Sequence, residues 1–345
     1  MGDAVASGSV GMPVRRVRGV RWVLTALAVA LCAASLTACG TAPAPVRAAD
    51  GGAVPLPQGV RTVPPGPAGG VSVSGCDASL APSGPLPQPG AMPAGSAMER
   101  IERRGYLIAG VDQDSYLFGY RNSSSDPHAS PLVGFDIDFV REIAQAIFGA
   151  PDRVRYRIVT QAGRIPALQD GSVDLVVDMM TVDCERAKQI AFSSDYVDAG
   201  QRFLVDESST VRGIGDLAGR KVCSATGTTS IQKLADPSYH IVPVAAVNWA
   251  DCLVMLQQRQ VDAISTTDLL LLGLQAQDPY TRIVGPQITF ERHGIGMPMG
   301  EDDLVRFVNA VLERLRTDGT WAAIYTRWIG TRLGPVPPPP PAVYQ

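Results

Sequence analysis

Arg186 stands out by its place in the chain. The run Thr181-Val-Asp-Cys-Glu-Arg186 puts it one turn into a helix that follows an apolar strand over Asp174–Asp178. A guanidinium so placed can grip a carboxylate through two parallel N–H groups; turned outward, it would make an ordinary ion pair with Glu185. A second segment, Lys221-Val-Cys-Ser-Ala-Thr226-Gly-Thr-Thr-Ser230, reads as a strand, a Gly/Thr turn and a helix starting near Ser230. The N–H groups at that start suit a carboxylate or phosphate, or serve only as an N-cap, and no P-loop ending is present. The histidines are His128, His240 and His293, none of them in a cleft motif, and no nucleophile elbow or Ser-His-Asp order is visible. The cysteine spacing fits no zinc site. These residues point to binding, with neither catalysis nor a cofactor.

The elements that must position them alternate. Tyr106–Val111 and Val154–Val159 are apolar strands. Asp136 can cap a helix whose inner face is Phe139, Val140, Ile143, Ala144 and Ile147. Ile165–Gln169 reads as a short helix and Leu269–Leu274 as a core helix segment. One pattern recurs: Leu168-Gln169-x-x-x-Val173-Asp174 and Leu256-Gln257-x-x-x-Val261-Asp262 each precede an apolar strand. Two similar α/β lobes explain the echo, each delivering polar residues at a strand's carboxyl end: Asp178–Thr181 in one, Thr266–Asp268 in the other. Ligands sit at such ends in open parallel sheets, and a cleft between two lobes closes around small ligands.

Around this body lie atypical ends. Arg15, Arg16, Arg18 and Arg21 precede the apolar run Trp22–Leu36, the layout of a secretory signal over residues 1–38. Leu36-Thr37-Ala38-Cys39 resembles the lipobox of bacterial lipoproteins, which implies lipidation of Cys39. Residues 40–95 hold 12 Pro and 11 Gly and are expected to stay an extended tether (39–96 in all), as is the tail 335–345 with its five consecutive prolines. The whole describes a chain anchored on the extracytoplasmic face of a bacterial membrane. A net charge of −3 over 345 residues argues against a nucleic-acid partner.

Gly134-Phe-Asp-Ile-Asp138, Arg164-Ile-Pro-Ala-Leu-Gln169, Cys184-Glu-Arg-Ala-Lys188, Ile190-Ala-Phe-Ser193, Gly227-Thr-Thr-Ser230, Val261-Asp-Ala-Ile264 and Asp318-Gly-Thr-Trp321 together resemble the family 3 solute-binding proteins of bacterial amino-acid ABC importers. Asn248-Trp-Ala-Asp-Cys252 and the Pro-rich ends are most like those of the glutamine/glutamate-binding lipoproteins of actinobacteria. The resemblance implies a two-lobed (type II) clamshell with two hinge crossings near Gly200–Val205 and Arg282–Thr289. Lobe 1 is then 97–203 with 285–334, and lobe 2 is 204–284. It also implies a polar amino-acid ligand. Arg186 would take the α-carboxylate with Thr181, Thr228 and Thr229. Met179 would offer its carbonyl to the α-amino group, Asp112 would face the ligand side chain, Tyr116 or Ser115 would line the same wall, and Gln161 takes the place where relatives often carry a hydrophobic lid residue. Relatives often hold the α-ammonium with an Asp where this chain has Thr267, beside Thr266 and Asp268. Relatives that take acidic ligands are expected to carry basic residues at Asp178 and Thr226. The carboxylates of Asp112 and Asp178 therefore favour an amide or cationic side chain over glutamate or aspartate, with Arg121 and Arg164 as the cations that can reverse this.

The implied partner is an ABC permease, or alternatively a membrane signalling protein that reads the closed form; the chain is expected to be monomeric. A dehydratase or lyase on this fold is the third and weakest reading. Outside the cytoplasm Cys76, Cys184, Cys223 and Cys252 favour disulfides. Cys223 and Cys252 both fall in lobe 2 and can pair without crossing the hinge, which leaves Cys76 for Cys184.

Overall fold

Among the described residues, apolar runs and amphipathic helices assemble into two main sheets, with a small three-stranded sheet and a two-stranded pair beside them. The computed structural model describes residues 54–67, 75–76, 78–122 and 131–345. The signal segment and Cys39 lie outside the described residues; everything below concerns Pro55–Gln345, one compact unit. In chain order the strands are β1 Arg61–Thr62, β2 Leu107–Val111, β3 Asp114–Ser115, β4 Gly119–Arg121, β5 Leu132–Val133, β6 Val154–Ile158, β7 Leu175–Val176, β8 Ala191–Phe192, β9 Val197–Ala199, β10 Gln201–Asp206, β11 Lys221–Ala225, β12 Val242–Ala246, β13 Ala263–Thr267, β14 Thr281–Val284, β15 Glu291–His293 and β16 Gly296–Met297. The helices are α1 Ala97–Arg104, α2 Phe135–Phe148, α3 Arg164–Gln169, α4 Cys184–Ala187, α5 Thr229–Leu234, α6 Trp249–Gln257, α7 Asp268–Gln277, α8 Asp302–Thr317 and α9 Thr320–Trp328.

One main sheet runs β6-β2-β7-β16-β8 and the other β1-β12-β11-β13-β10-β14; the small sheet is β3-β4-β5. The chain passes between them twice, from β9 into β10 at Gly200 and from β14 back to β15, with β9 and β15 paired antiparallel. This is the two-lobed clamshell, an α/β fold with two crossings. β10 already belongs to the second sheet at Gln201, before the 203/204 boundary that the resemblance implies. Its antiparallel ladder with β13 begins at Gln201↔Thr267.

The sequence echo has a common structural task. The Asp174 carboxylate accepts from the Ile108 N–H at 2.7 Å, while the Asp174 N–H donates to the Ile108 carbonyl at 2.8 Å. In the other lobe Asp262 does the same to Lys221, at 2.9 and 2.8 Å. Each aspartate also pairs with an arginine, Arg104 and Arg220 respectively. Both tie the start of a parallel strand to its neighbour, so that the strands' carboxyl ends face one cleft.

α2 buries the five apolar residues expected of it, but Asp136 does not cap it; Gly134 does. Asp136 instead points into the core and accepts from the Tyr196 hydroxyl at 2.7 Å. The same hydroxyl accepts from the Met179 N–H at 3.0 Å, and Met179 sits at φ +39°. A non-glycine residue in that region needs its surroundings to hold it. Here Phe135, Phe139 and Tyr196 pack ring on ring, and Trp321 donates to the Tyr196 carbonyl at 2.7 Å. Burial pushes the Asp136 carboxyl up to about 7.

The leader and tail depart from expectation. These residues are extended but attached to the body: β1 adds to the edge of β12 (Arg61↔Ala245, Thr62↔Val244), and Gly66 N–H donates to the Ala235 carbonyl at 2.8 Å. Ser79 donates to the Phe192 carbonyl and accepts from Asn309, and the Gln345 N–H donates to the Ser79 carbonyl. Composition does not show that backbone groups of the leader can complete the open edge of β12, or that the Ser79 hydroxyl can bond to the Phe192 carbonyl and to Asn309. Both expected disulfides are present: Cys76–Cys184 with Cα atoms 5.3 Å apart and Cys223–Cys252 with 5.6 Å. The first pins the leader to the first residue of α4; the second pins α6 to β11.

Candidate functional site

The carboxyl ends of β7, β11 and β13 and hinge strand β15 converge on one cleft. On the side of the first sheet, Arg186 is 6% exposed. The Asp183 side chain caps α4, accepting from the Arg186 N–H at 3.0 Å, and faces the guanidinium Nε at 3.1 Å. Nη1 donates to the Thr181 carbonyl at 2.7 Å and Nη2 to the Gly227 carbonyl at 3.0 Å. These contacts engage three of a guanidinium's five N–H donors. Burial, followed by the nearby Arg164, pulls the Arg186 pKa down to about 10, so it remains charged at neutral pH. Arg164 is the second buried cation. It donates to the carbonyls of Gln161, at 2.9 Å, and Asp178, at 2.8 Å. Asp178 stands 3.7 Å from its Nε, too far for a hydrogen bond, and its Oδ2 has no hydrogen-bond partner. Burial raises the Asp178 carboxyl pKa well above the ordinary range.

The opposite wall is neutral. Thr228, the N-cap of α5, accepts from the Ile231 N–H. Thr229, Ser230, Thr266, Thr267, Trp249 and Leu270 complete this side. The walls touch: the Thr181 and Thr229 hydroxyls are 3.2 Å apart, and both guanidinium groups reach the Gly227 carbonyl. A Cβ on Gly227 would lie 2.6 Å from Ala162, and one on Gly273 of α7 would lie 2.2 Å from the Tyr116 carbonyl oxygen. Only glycine permits these approaches. The remaining cavity is about 20 Å³, the room of a single water. The clamshell is shut, and entry of anything larger requires opening at the hinge.

Of the residues expected at the site, the structure places Gln161, Asp178, Met179, Thr181, Arg186, Thr228, Thr229, Thr266 and Thr267 around this cavity. Five are placed elsewhere. Asp112 turns into its own loop, accepting from the N–H groups of Gln113 and Asp114, the Ser115 hydroxyl and the Gln161 amide. A strand-end aspartate followed by polar residues closes such a turn locally, which also occupies Ser115. Tyr116 packs its ring against Tyr120, tilted by 54°, and contributes its backbone to the Gly273 contact. Thr226 faces a separate apolar pocket under the leader, because β1 and Pro64–Pro67 cover that side of the turn. Asp268 serves the crossing: it accepts from the Gly200 and Leu269 N–H groups and from Gln287. Arg121 is exposed on Gln113, so of the two candidate cations only Arg164 lines the cleft.

Sequence reasoning missed Glu291, Trp249, Ser230 and Leu270 as lining residues. Trp249 sits in the Asn248–Cys252 motif, which marked it as notable without placing it. Nothing in the pattern around Glu291 points inward; its position follows from β15 lying between β9 and the 180–182 loop.

A shut two-lobed cleft with buried guanidinium groups on one wall and hydroxyls on the other defines a small-solute binding protein. The model of the bacterial extracellular solute-binding proteins, family 3, matches residues 107–331, and this chain belongs to that family. It is 34% identical over 230 residues to the ABC transporter glutamine-binding protein GlnH of Bacillus subtilis (strain 168), covering 66% of this chain and 83% of that protein. It is 35% identical over 202 residues to the glutamine-binding protein of Geobacillus stearothermophilus, covering 58% and 76%. An ancestral arginine-binding protein, solved bound to arginine and bound to glutamine, is 32% identical and superposes with TM-scores of 0.59 and 0.60, covering 66% of this chain and 99% of that one. Among the described residues no helix is long and apolar enough to cross a membrane.

Proposed function

We propose that the chain captures a polar amino acid of the glutamine/glutamate class outside the cytoplasm and hands it to an ABC permease, while a lipid on Cys39 holds it at the membrane. The observation that carries this is the cleft itself, whose buried Arg186 and Arg164 face neutral hydroxyls across the closing gap. Arg186 grips the α-carboxylate, in exchange for its contact to the Gly227 carbonyl, as the lobes open and close again. Lobe 1, implied by the resemblance as 97–203 with 285–334, is taken to end at Gly200, and lobe 2, implied as 204–284, to begin at Gln201, where β10 joins the second sheet. The relatives named above bind glutamine, which supports the class. The ancestral neighbour bound to arginine or glutamine supports a pocket that accepts amide and cationic side chains.

Within that class the side-chain wall favours an amide. The Gln161 Oε1 and Asp178 Oδ2 are buried acceptors without hydrogen-bond partners. An amide or cation can donate to both, whereas a second carboxylate meets only acceptors beside Arg164. A thermal-shift panel of the twenty amino acids tests the proposal. Ligand at about 100 times its Kd stabilises by about 2.7 kcal/mol. Glutamine or arginine should give the largest shift. If glutamate or aspartate does, Arg164 governs the wall instead of Asp178; if no amino acid shifts the transition, the function is wrong.

A further inference from the structure

An α-amino acid carries two opposite charges on one carbon. Arg186 answers one of them, so the cleft needs a negative pole within a residue's width of Arg186. Among the described residues two acidic side chains line the cavity, Asp178 and Glu291. Asp178 lies along Arg164, on the wall shared with Gln161. Asp268, the acid nearest the hydroxyl wall in sequence, is committed to Gly200, Leu269 and Gln287.

Glu291 is placed differently. It is 4% exposed and comes from neither wall but from the crossing strand β15. Its Oε2 accepts from the Thr181 hydroxyl at 2.6 Å and the Thr229 hydroxyl at 3.2 Å, one from each wall. Its Oε1 accepts from the Thr289 hydroxyl at 2.8 Å. Thr181 joins the two poles: its hydroxyl is on Glu291 and its carbonyl is on Arg186 Nη1, 2.7 Å away. His293, with Nε2 4.0 Å from Glu291 Oε2, is fully buried, and that burial lowers its pKa. Three threonine hydroxyls thus surround a carboxylate in a cleft whose other charges are largely cationic.

We propose that Glu291 is the ammonium pole of the cleft, binding the α-amino group of the ligand with the Thr181 and Thr229 hydroxyls beside it. The proposal rests on the amino-acid reading above. It places the second charge of the ligand on the hinge strand, so the contact forms fully when the lobes close and both hydroxyls arrive. A purely structural glutamate would only need to accept from three hydroxyls, and glutamine's amide oxygen would serve part of that task.

The test compares full-length wild type with Glu291→Gln by calorimetry. Four probes are used: L-glutamine, L-arginine and their analogues lacking the α-amino group, 5-amino-5-oxopentanoate and 5-guanidinopentanoate. Wild type should prefer each amino acid to its deamino analogue. Glu291→Gln should bind the amino acid about 10- to 100-fold more weakly, the loss expected when a buried charge-assisted hydrogen bond becomes neutral, and the analogue within about threefold of wild type. Equal losses for both, or unchanged or tighter amino-acid binding, overturn the assignment. Glu291→Asp, which keeps the charge, should retain the preference for the amino group even if Glu291→Gln melts lower; loss of that preference in the aspartate variant also counts against it. Wild type that binds neither amino acid sinks the amino-acid reading itself, and this proposal with it.

Discussion

The two walls of the cleft differ in kind. The wall from the first sheet carries Arg186, Arg164 and Asp178, all buried; the two guanidinium groups are fixed by backbone carbonyls, whereas Asp178 Oδ2 has no hydrogen-bond partner. The wall from the second sheet carries hydroxyls, Trp249 and Leu270. Charge on one wall alone means that an open clamshell can hold a zwitterion electrostatically on lobe 1 before lobe 2 arrives. Closure then adds hydroxyls, shape and exclusion of water, which strengthens every charge–charge contact already made. One wall supplies attraction and the other supplies the conformational response. A ligand that touches both binds the closed form better and shifts the population toward it.

Removing the charge should therefore hurt most. Arg186→Ala is expected to weaken amino-acid binding about 30- to several-thousand-fold, from the roughly 2–5 kcal/mol lost when one partner of a buried charge pair is deleted. A loss below threefold by calorimetry would erase the distinction between the walls.

Gly273→Ala tests closure without touching charge. An alanine Cβ meets the Tyr116 carbonyl oxygen at 2.2 Å in the closed form. In a helix, alanine is favoured over glycine by about 1 kcal/mol, so the fold should not suffer. The closed form should lose about 1–3 kcal/mol to overpacking, weakening binding roughly 5- to 150-fold. The radius of gyration in solution scattering should rise while the melting temperature holds. An unchanged radius with full affinity would mean that the two lobes do not need this contact.

The pH response should come from the charged wall. Asp136 lies behind the Met179 loop, with its carboxyl raised by burial to about 7, against about 3.9 in an unfolded chain. The native state then holds a proton that the unfolded state releases between those values. This contribution is complete below about pH 4 and is lost as pH rises toward 7, at no more than about 1.4 kcal/mol per pH unit. Asp136→Asn keeps an oxygen for the Tyr196 hydroxyl and should remove that part of the slope. Parallel stability-versus-pH curves for the two proteins would show that Asp136 does not titrate there. Smallest of all, Thr267→Val deletes one neutral hydroxyl from the second wall, and binding should fall only about two- to tenfold.

Periodicity and punctuation located the elements that carry the cleft, while the short strands of the crossings and the helices α1, α8 and α9 were not placed by them. The spacing of Phe139, Val140, Ile143, Ala144 and Ile147 specifies the buried face of α2, because a helix places those positions on one side whatever it packs against. Repetition did the same for Asp174 and Asp262, whose backbone anchoring is local to each strand pair. The strand ends Asp178–Thr181 and Thr266–Asp268 were legible as cleft candidates for the same reason, although Asp268 serves the crossing instead. The spacing left Arg186 between a carboxylate grip and a surface ion pair, and only the family resemblance put it in the cleft. The sequence could not say where a polar side chain turns when several partners are within reach. Asp112 closes its own loop, Asp268 ties the crossing, and Asp136 enters the core, each satisfied by a donor chosen by three-dimensional neighbours. Nor could composition reveal that a Pro/Gly-rich leader would attach by backbone pairing at the edge of β12. Glu291 lies 110 residues from the threonine whose hydroxyl it accepts. Contacts over that distance are set by how the crossing strands pack, and only the tertiary structure decides which charge they bring to the cleft.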